Sequence, residues 1–360
     1  MKRKKVKIIL GSILLVVLVT IGATAGYAAF LTEKARNTAN NSLEELDRGG
    51  KSEKRAYKVT PIEDSTSVLF IGVDDSEKRS DSYSATRSDA LVLATFNNND
   101  KSVKLVSIPR DSYTYIPEVG YNDKITHAHA FGGTEATIET VENLLEVPVD
   151  YYVRLNFNSF VDVIDSLNGV KFDVPFDLTE QNSKDKQDSI ALDKGYQTVT
   201  GEEALALVRS RQYDSDLARG QRQMEMIEAI VNKAASAESI VNYGKVIESI
   251  GDNMKTNLTF NEMMSYADYV LSNQGLNFEE MQLEGEGVYI NGVWYYQIQD
   301  TSLMNIQGSL QAHLDLPDKA TDSSYAGEDE NQENSYEAGE NSNYDRGHKP
   351  SQETRQELYQ

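Results

Sequence analysis

The sequence predicts an α/β domain, a mixed central β-sheet flanked by helices, preceded by one N-terminal transmembrane helix. Three observations carry this. Ile8 to Thr32, IILGSILLVVLVTIGATAGYAAFLT, is an uncharged and mostly apolar run, and about 20 helical residues cross a bilayer core of ~30 Å. Val68 to Val73, VLFIGV, is a short apolar run of the buried-strand kind. After it, strand-like and helix-like segments alternate, as they do when helices cover a sheet.

The elements follow in chain order. MKRKKVK at residues 1–7 is a basic flank, expected to stay in the cytoplasm with everything after Thr32 outside. The competing reading is a cleaved signal peptide, since Ala23-Thr24-Ala25 resembles a small-residue cleavage site. The apolar run is longer than the usual signal core of about 7–15 residues, which favours an anchor over 8–32. Residues 33–66 are polar and read as a stalk. Asp89 to Phe96 and Ser102 to Ile108 read as a hairpin across the turn NNNDK. Gly133 to Glu146 has helical spacing, with Ile138, Val141, Leu144 and Leu145 on one face. Val149 to Phe157 reads as a strand, Ser159 to Leu167 as a helix stopped by Asn168-Gly169, and Val170 to Val174 as a strand. Gly201 to Arg211 and Asp216 to Ala235 read as helices, with Asp216 as N-cap. Two further helical stretches and a strand pair around Val288 to Gln297 close the domain at Leu316. Residues 317–360 are acidic and poor in aliphatics, so they cannot offset their ordering entropy and are expected to be disordered.

Composition narrows the function. The net charge of −22 argues against a general nucleic-acid binder, which needs a basic face to neutralise phosphates. The chain has no Cys, so disulfides and thiol sites are excluded. Against that acidic background, VRSRQYDSDLARGQRQ (208–223) places Arg209, Arg211, Arg219 and Arg222 within sixteen residues, with no Lys. Arginine binds phosphate bidentately where lysine offers a point charge, and a helix start adds backbone donors. The bland alternative is a solvated face paired with Asp214, Asp216 and Glu225. Two other segments suit the same anion. In IPRDS, Arg110 follows a strand and Pro109. In GVDD…RSDALVL, Asp74 ends one strand while Arg87 and Asp89 open the next. Two carboxylates at strand ends beside arginines suit Mg²⁺ shared with phosphate oxygens.

The series GVD, RSDALVL, VSIPRD, DKITHAHAFGG, TGEEALALVRSR and SDLARGQRQ resembles the LytR-CpsA-Psr family of cell-envelope proteins across Val68 to Ala235. The resemblance implies transfer of an anionic glycopolymer, teichoic acid or capsule, from an undecaprenyl-diphosphate carrier to peptidoglycan. It implies Asp74 and Asp89 as Mg²⁺ ligands. Arg87, Arg110, Arg209, Arg211 and Arg219 would grip the diphosphate, and Gln223 would add a donor. Asp216 would hold arginines in place and Asp111 would orient Arg110. Either aspartate is a general-base candidate by proximity only. Lys124 and His127 match the DKITHA segment and take supporting positions; His129 receives no role. Asp75, beside Asp74, is a second choice for the first ligand. The lipid tail needs an apolar groove, for which the Thr137–Leu145 and Phe157–Leu167 helices are candidate walls. A non-catalytic scaffold for polyprenyl-diphosphate precursors and a polyprenyl-diphosphate hydrolase are the alternatives; two acidic ligands favour an enzyme over a scaffold. An anchored, acidic outward domain argues against a transcription regulator. The setting implied is a Gram-positive type cell membrane, with peptidoglycan and other wall-assembly proteins as partners.

Overall fold

The computed structural model describes residues 30, 32–61, 63–74, 86–211, 215–236, 254–272 and 276–317. Most of the expected anchor, the acidic tail, Asp75, Tyr213 and Asp214 lie outside these residues. No helix among the described residues is long and apolar enough to cross a membrane.

The centre is a six-stranded mixed sheet. It is built from β1 (Thr66–Val73), β2 (Ser88–Asn97), β3 (Ser102–Ser107), β6 (Tyr151–Asn156), β11 (Met254–Thr256) and β12 (Asn277–Gln282), in the order β11-β6-β1-β2-β3-β12. β1 runs parallel to β6 and β3 to β12; the other neighbours are antiparallel. The mixed sheet is therefore as expected, and the NNNDK hairpin joins β2 to β3. The small β4 (Tyr113–Ile116) and β5 (Tyr121–Lys124) pair with each other, as do β7 (Val170–Val174) with β10 (Gly195–Val199), and β8 (Leu178–Glu180) with β9 (Ile190–Leu192). The late pair is β13 (Gly285–Ile290) and β14 (Val293–Ile298).

The helices that cover this frame are α1 (Thr126–Leu145), α2 (Phe157–Ser166), α3 (Gly201–Arg209), α4 (Asp216–Ala234), α5 (Phe260–Ser272) and α6 (Asp300–His313). α1 holds two helical stretches that meet at the non-helical Gly132 and Gly133, the latter at φ +64°; the second stretch is the helix expected from Gly133, and the first, from Thr126, goes beyond that expectation. α2 stops where expected, with Asn168 and Gly169 both at positive φ, the turn such residues tolerate. α3 starts at a capping box in which Thr200 and Glu203 satisfy each other's backbone donors.

Side chains alternate across the strands, so the sheet has two cores. On one face Leu69, Ile71, Leu91 and Leu93 pack with Val141 and Leu145 of α1, Tyr296 of β14 and Leu310 of α6. On the other, Val92 and Ala94 pack with Met224 of α4 and Tyr269 of α5. Residues 33–66, expected as a stalk, pack onto the domain. Arg55 donates to buried Asp150 from Nε and Nη2, at 2.9 and 2.7 Å. Arg48 pairs with Glu142 at 3.1 Å, and Glu44 N–H donates to Thr256 O at 2.8 Å.

α2 and α3 touch so closely that only glycine fits at residue 201. A Cβ there would lie 2.3 Å from Val161 O, and the Gly201 N–H donates to Asp165 Oδ1 at 2.7 Å. Gly201→Ala is expected to cost roughly 1–3 kcal/mol of stability or more, because the contact is backbone and cannot rotate away. Urea unfolding checks this; an unchanged midpoint would mean that the helices separate freely.

Candidate functional site

The site forms where strand ends of the sheet meet the α3–α4 junction. α4 is fastened to the end of α3 by two of its own side chains. Arg222, almost fully buried, donates to Leu207 O at 3.0 Å and Ser210 O at 2.8 Å, and its guanidinium sits over the Phe176 ring. These bonds satisfy carbonyls that a helix terminus leaves open. Gln223 donates to Val208 O at 3.2 Å. Arg222 is thus structural, and Gln223 has at least one amide hydrogen committed to the junction. Ser215, not Asp216, is the N-cap of α4: its hydroxyl accepts from Ala218 N–H at 3.2 Å. Asp216 sits one residue on, in the first turn, and is taken by arginines instead. Its Oδ1 lies 3.6 Å from Arg211 Nε and 3.3 Å from Arg219 Nη1.

Behind these charges lies a cavity of about 480 Å³. Asp74, Asp89, Arg110, Arg209, Arg211, Arg219 and Gln223 all line it. Its remaining wall is apolar: Phe157, Phe160 and Val163 from α2, and Ile227, Ile230 and Val231 from α4. Of the two helices expected as groove walls, α2 serves. The Thr137–Leu145 stretch does not, because its apolar face packs in the core on the other side of the sheet. A stripe of apolar side chains such as that of α4 has the same spacing whether it faces a core or a cavity. Arg87 is exposed and is not among the lining residues, so the structure does not bring it to the other arginines.

Asp89 and Asp74 reach the cavity through a β-bulge. Gly72 pairs with Ala90 and Val73 with Ser88, so Asp89 is the extra residue, and a bulge re-aims a side chain in this way. Asp89 is ion-paired with Arg110. Asp74, at the end of β1, is buried. Together they are two hard oxygen donors, a set that suits a divalent cation completed by phosphate oxygens and water. No group of three or more His, Cys, Asp or Glu able to hold a metal occurs among the described residues.

The electrostatics are unbalanced toward positive charge. Arg219 is only 5% exposed. Burial, and then the Arg211 charge, push its guanidinium down to about 10, with Asp216 only partly opposing. Arg211 is lowered by burial and by Arg110. Arg110 Nε, Arg209 Nη1 and Arg219 Nε are buried and have no hydrogen-bond partner, although buried polar groups are nearly always paired. The Arg209 guanidinium also sits over the Phe157 ring, 4.2 Å from its centroid. The cluster is short of an anion, and the cavity is short of an apolar occupant.

Asp111 is held from its other side. Lys124 Nζ is 2.8 Å from its Oδ1, and Arg110 Nε 3.6 Å from its Oδ2. Burial raises the carboxyl, but the Lys124 hydrogen bond and the Arg110, Lys124 and Arg211 charges outweigh it, so Asp111 sits below the usual range. It stays ionised and is a weak proton acceptor at neutral pH. His127 Nδ1 pairs with Asp123 at 2.7 Å. His129 donates to Thr86 O at 2.7 Å, and burial keeps it below its usual value.

Comparison with known proteins agrees with this architecture. The LytR_cpsA_psr family matches residues 29–312. The chain is 42% identical over 313 residues to the polyisoprenyl-teichoic acid–peptidoglycan teichoic acid transferase TagT of Bacillus subtilis strain 168, covering 87% of this chain and 95% of that one. It is 37% identical over 317 residues to the transferase of the same description, TagU, of Halalkalibacterium halodurans, covering 87% and 99%. Among solved structures, B. subtilis TagT aligns with a TM-score of 0.63 at 40% identity, over 76% of this chain and all of that one. TagT with bound octaprenyl pyrophosphate lipid aligns at 0.61 and 38% identity, over the same shares. With the motif order, the site and the match along most of its length in agreement, this chain belongs to the LytR-CpsA-Psr family.

Proposed function

We propose that this chain is a membrane-anchored transferase that moves an anionic glycopolymer from a polyprenyl-diphosphate carrier to peptidoglycan outside the cell. One observation carries the reading: arginines with buried nitrogens that lack a hydrogen-bond partner line a largely apolar cavity. A diphosphate joined to a long hydrocarbon is the ligand that satisfies both halves. The relatives named above as teichoic acid transferases, and TagT with its octaprenyl pyrophosphate, support it. The basic flank and the apolar run at 8–32 support an anchor with the domain outside, and residues 317–360 remain assigned to a separate acidic tail.

The chemistry follows from charge. An acceptor hydroxyl oxygen attacks the phosphorus that carries the glycan. A new P–O bond forms, the bond to the polyprenyl phosphate breaks, and the hydroxyl proton passes to water. Catalysis of this kind is mostly positioning and charge stabilisation. Arg110, Arg209, Arg211 and Arg219 would hold the diphosphate oxygens, and Asp216 would keep Arg211 and Arg219 apart and aimed. Gln223 would contribute its remaining amide hydrogen, and Arg87 would act only at the rim. Asp74 and Asp89 would hold a divalent cation, Mg²⁺ by the oxygen donor set, which supplies further neutralisation of the diphosphate. Asp111 orients Arg110; a dedicated base is not required.

The test is reconstitution. Full-length protein, Mg²⁺, lipid-linked glycopolymer and peptidoglycan strands should give a covalent polymer–glycan product and polyprenyl monophosphate. Release of free glycopolymer without a linked product would instead identify a hydrolase, and neither product a scaffold. Within this frame Arg211→Lys is expected to weaken polyprenyl-diphosphate binding roughly ten- to a hundredfold. A lysine loses one or two charge-assisted bonds of about 1.5–3 kcal/mol each. Equal affinity at an unchanged melting temperature would return Arg211 to the solvent.

A further inference from the structure

The DKITHAHAF segment lies outside the cavity, on the far side of the Arg110–Asp111 loop. Two hairpins meet there. Tyr296 N–H of β14 donates to Asp111 O at 2.9 Å, Ile125 N–H to Ser112 O at 2.9 Å, and Thr126 N–H to Arg110 O at 3.1 Å. The loop is thus clamped between β14 and the end of β5. The clamp carries aromatic rings. Tyr113 of β4 meets Tyr295 of β14 edge-on at 4.9 Å. Lys124 Nζ, already on Asp111, sits 5.8 Å from the Trp294 ring centre and 5.6 Å from that of Tyr295. Trp294 lies over Gly287, where a Cβ would come within 2.7 Å of its indole nitrogen. Asp123 accepts from Tyr295 OH at 3.4 Å and from His127 at 2.7 Å. Beyond His127 come Phe131 and Tyr121, with rings 6.3 Å apart and exposures of 40% and 52%.

We infer that this aromatic and hydrogen-bonding surface is the acceptor subsite, and that it binds the N-acetylhexosamine chain of peptidoglycan. Two arguments lead there. The first is chemical. Rings with polar groups between them offer apolar faces for the C–H side of a pyranose and hydrogen bonds for its hydroxyl and amide groups. Tyr121 and Phe131 are exposed and Tyr113, Trp294 and Tyr295 partly so, and exposed apolar surface of this kind marks a binding site. The second is geometric and rests on the transferase reading above. In phosphoryl transfer the attacking and leaving oxygens lie roughly in line through phosphorus. The lipid cavity is walled by α2 and α4, while the aromatic surface belongs to the layer of α1 and β14, which packs on the opposite face of the sheet. The arginine loop stands between them. A leaving group drawn back into the cavity therefore faces an acceptor arriving over Tyr295 and Trp294. Lys124 is a positioning residue that ties this surface to Asp111.

Trp294 is the chain's sole tryptophan, so it reports from inside the proposed subsite. Titrate full-length protein with the tetrasaccharide of β-1,4-linked N-acetylglucosamine and follow tryptophan emission. Saturable quenching or a shift is expected. Tyr121→Ala/Phe131→Ala removes two exposed rings that no core depends on, and should raise the Kd about ten- to a hundredfold. Polyprenyl-diphosphate affinity should not change, and in the transfer assay the KM for glycan should rise while release of polyprenyl phosphate to water persists. A silent tryptophan, or a double variant that binds the tetrasaccharide as tightly as the native chain, would overturn the inference. Glycan binding without any transfer by the native protein would sustain the subsite and sink the transferase. Transfer with a silent tryptophan would do the reverse.

Discussion

Arg219→Met is expected to leave the unliganded protein at least as stable as the native chain while abolishing most of its stabilisation by polyprenyl diphosphate. The guanidinium is buried beside two like charges and sits at about 10. Its folded value is thus below the unfolded one. For a base, that sign means the folded chain holds the proton less tightly, so folding carries a cost at every pH below about 10. The cost fades only as pH rises through that value. One pKa unit is ~1.4 kcal/mol, so the cost, with the attraction of Asp216 already included, is of order 3 kcal/mol. Methionine keeps the buried stem and discards the charge, and Asp216 retains Arg211. With diphosphate bound the balance reverses, because the anion supplies the missing partner. A ligand at a hundred times its Kd stabilises by about 2.7 kcal/mol, and the variant should lose nearly all of that. Thermal melting with and without polyprenyl diphosphate decides. A variant that melts several degrees lower, yet gains as much from ligand as the native chain, would make Arg219 a structural residue.

The frame of this site was legible in the sequence because its parts lie at ends of regular elements. VLFIGV and SDALVLATF are strongly apolar, so Asp74 and Asp89 were readable as strand-end residues. What was not readable depends on three-dimensional partners. SDLARGQRQ presents Ser215 and Asp216, both good caps, and only the positions of Arg211 and Arg219 decide which one caps. Arg219 and Arg222 look alike three residues apart, yet one meets a cavity and the other the carbonyls of α3. Arg87 is two residues from Asp89 in sequence, a spacing that shares a face in a regular strand, but Arg87 lies outside β2 and the bulge at Asp89 breaks that alternation. The β4–β5 hairpin was missed because YTYI and YNDK are four residues each and one of them is polar. They hold together by pairing with each other and by docking on β14. The same gap hid the aromatic surface, since its rings come from segments some 170 residues apart.

Ile230→Glu tests the other half of the site, the cavity. It is expected to weaken polyprenyl-diphosphate binding more than a hundredfold while leaving the fold intact. Ile230 lies on α4, where glutamate is a good helix former, and it lines the cavity without being fully buried. In the unliganded protein the new carboxylate can be hydrated within the cavity, so the cost to folding is small. A prenyl chain must strip that water away. Burying an unpaired charge costs several kcal/mol, and each 1.4 kcal/mol is tenfold in affinity. Two controls separate tail from head. A short-chain, water-soluble prenyl diphosphate should bind the variant and the native chain alike, because only the arginines hold it. Lowering the pH toward about 5 should restore part of the long-chain affinity, since desolvation raises a carboxyl pKa and the protonated form is far cheaper to bury. Both measurements are affinities, by calorimetry or by thermal shift. If the long-chain ligand binds the variant as tightly as the native protein, the hydrocarbon does not enter between α2 and α4, and the cavity loses its assigned occupant.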